Sequence, residues 1–101
     1  MELKTALAGT GLLKKVRDHV KNGTYILMKH AMERQKERDI RLPDVLYVLE
    51  HGRYEKEKDD FNIKMQAWKY AIRGNTANRI DLRIIVAFQK EMVIITVMRV
   101  D

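Results

Sequence analysis

A chain of 101 residues is one domain long by the usual span of about 100–200 residues per domain. Its composition, 46% apolar and 34% charged, supplies the core of a compact domain, and the longest apolar run, Met92 to Met98, has strand length rather than the roughly 18 residues a membrane span needs. Zero cysteines remove disulfides, thiolate metal sites and cysteine nucleophiles, while 20 Lys and Arg against 14 Asp and Glu leave a net charge of +6 that points to an anionic partner. The first ten residues carry Glu2 and no apolar stretch, so no secretory signal is read there and the expected location is the cytoplasm, away from membrane.

In chain order, Leu12, Leu13, Val16 and Val20 share one face at helical spacing, which predicts a first helix over about 11–22, stopped by Gly23 in a left-handed conformation. Met28 to Arg38 is rich in good helix formers and gives a second helix. Pro43 and Asp44 suit the first turn of a third, whose core face is Val45, Leu46, Val48 and Leu49 and whose end is Gly52. Arg53 to Lys58 reads as a charged edge strand.

The period then changes. Trp68, Tyr70 and Ile72 alternate with Lys69, Ala71 and Arg73, a turn follows at 75–78, Ile80 to Phe88 alternates again, and Met92 to Val100 is β-branched and apolar. The pattern predicts an α+β fold with N-terminal helices packed on a three- to four-stranded antiparallel sheet. One domain over 1–101 is expected, with residues 1–10 a candidate for disorder.

The chemistry-bearing residues fall in two places. Lys69 and Arg73 share one side of their strand, Arg83 faces away from Leu82 and Ile84, and Arg99 closes the last strand, so aligned registers make a basic sheet face that binds phosphates. Trp68, Tyr70 and Phe88 are spaced as core residues rather than as stacking platforms for bases. An arginine within an apolar strand needs a reason, and for Arg73 and Arg83 it is either ligand contact or an ion pair. On the second helix, His30 and Arg34 are four apart, with Arg38 a further turn on; a histidine beside guanidiniums can move a proton and steady a phosphate. Asp59-Asp60 reads as a solvated loop. No Gly-rich phosphate loop is present, and His19, His30 and His51 lie in three separate segments, so neither a nucleotide cofactor nor a metal site is expected.

The stretch HAMERQKERDIRLPDVLYVLEHGRYEKEK, followed by WKYAIRG, DLRIIVAF and IITVM, resembles small uncharacterised bacterial domains built on His-Ala-x-x-Arg, a later Arg, a valine-rich helix ending in Gly and a closing meander. More distantly it is similar to the MqsR toxins of the RelE-type messenger-RNA interferases, over about residues 12–100. That resemblance implies a RelE-like fold and a metal-independent RNA endonuclease, in which the ribose 2′-OH attacks the adjacent phosphate. It also implies RNA as substrate and an antitoxin partner of zinc-finger or helix-turn-helix type. Carried over, the family's lysine after the third helix matches Lys56, with Lys58 beside it, and its C-terminal basic residue matches Arg99. Lys69 stands where those toxins have glutamine and Asp81 where they have tyrosine, so either His30, Arg34 and Arg73 take over the chemistry or the chain binds RNA or protein without cutting. The candidate catalytic set is therefore His30, Lys56, Lys58, Arg73 and Arg99, and the candidate RNA-binding set is Arg34, Arg38, Lys69 and Arg83.

Overall fold

A computed structural model describes residues 9–37 and 39–100. The chain runs α1 (Gly9–Asn22), β1 (Tyr25–Leu27), α2 (Lys29–Glu37), α3 (Leu42–His51), β2 (Arg53–Tyr54), a 3-10 turn (Lys56–Lys58), β3 (Asp60–Asn62), β4 (Ala67–Asn75), β5 (Asp81–Phe88) and β6 (Met92–Arg99). The helices and the three long strands are those the periodicity predicts. The sheet is larger than predicted and mixed: six strands, in the order β1-β6-β5-β4-β2, with β3 pairing the same edge of β4 as β2. The purely antiparallel expectation is corrected by β1, which lies parallel to β6 with Tyr25 opposite Met92 and Leu27 opposite Ile94. The single edge strand expected over 53–58 is also corrected, because pairing stops after Tyr54 and the chain turns before β3.

Local chemistry explains the joints. Gly23 ends α1 at φ 68, donating to Val20 O at 3.3 Å while Thr24 N–H reaches His19 O at 3.0 Å, the paired bonds of a Schellman stop. At α3 the Asp44 carboxylate accepts the Arg41 N–H at 3.0 Å, satisfying a backbone donor beside the helix start. Leu12 and Val16 from α1, Ala31 from α2 and Val45, Val48 and Leu49 from α3 share one cluster with Tyr70, Ile72, Leu82, Ile84, Val86, Met92, Ile94 and Val97. All three helices therefore cover one face of the sheet. Trp68 and Phe88 pack against the same cluster, in keeping with their spacing as core residues. A register shift at Ile85/Val86 lets Val97 and Ile94 of β6 both turn inward despite their odd separation.

Among the described residues no helix lies on the other face, which leaves Arg73, Arg83 and their neighbours on an uncovered surface. Among the described residues no helix is long and apolar enough to cross a membrane.

A close approach between the layers lies at the end of α3. A β-carbon built on Gly52 lies 2.5 Å from Val48 O and 2.8 Å from Arg73 O, both backbone atoms with little room to yield. Gly52→Ala should destabilise the fold by roughly 1–3 kcal/mol, the ordinary cost of overpacking, by prying α3 from β4. Urea denaturation measures it, and an unchanged midpoint would show that the helix shifts without loss.

Candidate functional site

The site on the uncovered face follows from strand parity. Tyr54 turns toward the core, its ring 6.2 Å from that of Tyr70, so its neighbours Arg53 and Glu55 point the other way. Ile72, Leu82 and Ile84 are core residues, which sends Arg73 and Arg83 to the same uncovered face. The registers then align: Arg53 lies opposite Arg73, and Arg73 opposite Arg83. Three cations in one row across three strands repel one another.

Glu55 resolves that conflict. Its side chain is 7% exposed and is shared by two guanidiniums: Arg83 donates Nε–H to Oε1 at 2.5 Å and Nη2–H to Oε2 at 3.3 Å, and Arg73 donates Nη1–H to Oε2 at 3.1 Å. Arg73 also forks onto Asp81 through Nε and Nη2 at 3.1 and 2.7 Å, the bidentate geometry a guanidinium makes with a carboxylate. A guanidinium carries five N–H donors; these bonds use three on Arg73 and two on Arg83. The two arginine side chains are 24% and 18% exposed, so each still meets solvent from the uncovered side.

The electrostatics follow the geometry. Hydrogen bonds from Arg83, opposed by burial and seconded by Arg73, hold the Glu55 carboxyl down to about 2. Asp81 is lowered mainly by its bond from Arg73. In return, Arg73 is raised by Asp81 and Glu55, and Arg83 by Glu55.

Where β2 gives way to the 3-10 turn, β4 would lose its partner at Ala71. Instead Glu55 N–H donates to Ala71 O at 2.8 Å, and the Asp59 carboxylate takes the backbone bond from Ala71. Tyr54 donates its hydroxyl to Asp59 as well, and burial foremost pushes that phenol up. Asp59, expected in a solvated loop, is thus half-buried mortar between strands, and desolvation raises its carboxyl. Asp60 is exposed and lies 3.5 Å from Lys69.

The sequence-predicted residues divide accordingly. Arg73 and Arg83 meet, Lys69 shares their face two rows down β4, and Lys56 and Lys58 stand exposed on the turn that follows Glu55. His30, exposed near the start of α2, belongs to the helix layer, so the structure does not bring it to the arginine row, and Arg34 stands on the same helix. Arg38 lies outside the described residues. Arg99 sits opposite the core residue Leu82 and so turns toward the helix side. Glu55 and Asp81 are the two members the sequence reading did not select. The signal for them was the demand that two arginines in apolar strands find partners.

Glu55 and Asp81 gain a lowered pKa on folding, so their contribution to stability is complete above the ordinary carboxylate range and fades as pH falls. For Glu55 the window runs from its ordinary 4.5 down through about 2. Asp59 shifts the other way and offsets part of this. Wild type should therefore lose denaturant stability more steeply between pH 5 and pH 2 than Glu55→Gln, and parallel curves would show that the carboxylate is not held by the arginines.

No curated protein and no solved structure matches the chain. A family profile described as Domain of unknown function (DUF4258) matches residues 27–99, from the last residue of β1 through the end of β6 and so across the whole arginine row. The chain belongs to the DUF4258 family.

Proposed function

We propose that this chain is a metal-independent RNA endonuclease of the RelE and MqsR toxin type, working in the cytoplasm and held in check by an antitoxin of zinc-finger or helix-turn-helix type. The observation that carries the reading is the pair of guanidiniums fixed by one buried carboxylate on an uncovered sheet face, beside a turn bearing two exposed lysines. Arg73 and Arg83 are held in place before any ligand arrives, and a preorganised pair of donors steadies the charge of a pentacovalent phosphorane better than two free side chains do. Glu55 is a positioning residue in this scheme, because its oxygens are buried beneath the arginines they hold.

The reaction balances without a cofactor. The 2′-oxygen forms a bond to phosphorus, the bond from phosphorus to the 5′-oxygen breaks, the 2′ proton passes to solvent water and the leaving oxygen takes one from an acid. Lys58, with Lys56 as its neighbour, supplies the proton, and Lys69 extends the backbone-binding track. An acidic antitoxin segment covers the same row when the enzyme is silent.

Neutralisation favours a second reading, because Arg73 already answers two carboxylates. A module that binds RNA or an acidic protein without cutting needs only the outer donors.

The test is cleavage of labelled single-stranded RNA, with binding measured on a 2′-deoxy analogue. Lys58→Ala should lower the rate roughly 10²- to 10⁴-fold with affinity retained, the usual share of general acid–base catalysis. Arg83→Lys, which keeps the charge but not the fork, should lose both rate and affinity. His30→Ala should change neither; a folded His30→Ala protein that no longer cuts would move the proton transfer to α2. Affinity should fall as salt rises. Wild type that binds and never cuts leaves the binding module, and wild type that does neither removes both readings.

A further inference from the structure

A second feature lies at the opposite edge of the sheet. Between the outer edge of β1 and the α2–α3 connection is a groove of about 720 Å³, walled by Ile26, Met32, Ile40 and Leu42. Ile26 is 48%, Met28 43% and Met32 54% exposed, so large apolar side chains meet water in one neighbourhood. The only charged residues that line it among the described residues are cations, Lys36 and Arg41, both exposed.

The backbone beside the groove is ready to pair. In a parallel ladder, alternate residues direct both N–H and C=O to one neighbour. Met92 N–H donates to Thr24 O and Met28 N–H to Ile94 O, each at 3.0 Å, which assigns the even-numbered residues of this stretch to β6. Tyr25 and Leu27 therefore direct theirs outward, where the sheet order ends.

We propose that this edge is a docking site for an extended segment of a partner protein that presents apolar and acidic side chains together along one face, added as a seventh strand on β1. Strand alternation places every second side chain on the α2 side, where the apolar ones fill the groove. The carboxylates on that same side reach Lys36 and Arg41, which line the groove with the apolar residues and so reject a basic segment and accept an acidic one. The proposal does not depend on whether the chain cuts RNA, because the arginine row lies on β5, β4 and β2, beyond β6.

The probe is a fluorescein-labelled ten-residue peptide whose odd positions alternate Leu with Glu and whose even positions are Thr, compared with its Lys-for-Glu counterpart and with a version carrying a central Pro. Anisotropy titration of the full chain should show the acidic peptide binding at least tenfold tighter than the basic one, and the Pro version should lose binding with its N–H. Met32→Glu, a change at an exposed position, should abolish binding, and Lys36→Glu with Arg41→Glu should reverse the charge preference while the melting curve stays unchanged. Equal affinity for both charges, affinity indifferent to Met32→Glu, or no binding of any peptide would overturn the proposal. So would concentration-dependent dimerisation that Met32→Glu breaks, which would give the groove to a second copy, or loss of RNA affinity on reversing Lys36 and Arg41, which would give it to RNA.

Discussion

The uncovered half of this molecule depends on one carboxylate with two cationic claimants. The strand registers force Arg53, Arg73 and Arg83 into a row, and such a row is unfavourable unless an anion sits within it. Glu55 does so from the residue immediately after β2, so the same few atoms that neutralise the row also fasten β2 to the sheet. A strand of two residues has little pairing of its own, and β2 is held as much by Glu55 and by the core contact of Tyr54 as by its ladder to β4. The break after Tyr54 then becomes tolerable, because Glu55 N–H and the Asp59 carboxylate serve the two backbone groups of Ala71 that a continuous strand would have served.

An ion pair of this kind is poor evidence of stability by itself, since burying the charges costs about as much as their attraction returns. What it supplies is position. Arg73 is held from two sides, by Asp81 through a fork and by Glu55 through a third nitrogen, and has little freedom to lose when a ligand arrives. A structural network and a phosphate clamp make the same demand on the resting geometry. They differ in whether the outer N–H donors ever meet an anion, which is why the functional reading rests on variants that keep charge and remove the fork.

The elements legible in the sequence are those with enough length to show a period. α1 and α3 each present several buried residues at helical spacing, and β4 and β5 alternate over many residues. β1 has three residues and its only ladder is to a strand more than sixty positions away, so Tyr25-Ile26-Leu27 offers no local pattern to read. In β6 the register shift swaps the inward parity between Ile94 and Val97, and an alternation that changes phase reads as a plain apolar run. The shared face of Lys69, Arg73 and Arg83 was legible because parity is local. Glu55 was not, because in Arg-Tyr-Glu-Lys-Glu-Lys it looks like any solvated edge residue, and its partners stand 18 and 28 positions ahead.

Sheet order also decides how the two surfaces relate. The arginine row occupies β2, β4 and β5, whereas the apolar groove adjoins β1, with β6 between the two regions. They differ in chemistry as well as place: one presents fixed guanidiniums on an open face, the other exposed methionine and isoleucine beneath a helix. A ligand on either surface leaves the other uncovered unless it is long enough to cross β6. A partner that both docks on β1 and silences the arginines must therefore be an extended chain with two unlike parts, an apolar-acidic strand for the edge and an acidic stretch that reaches across the uncovered face. A small globular partner seated at one edge could not do both, so the length of the bound segment, rather than its affinity, is the property that would couple the two sites.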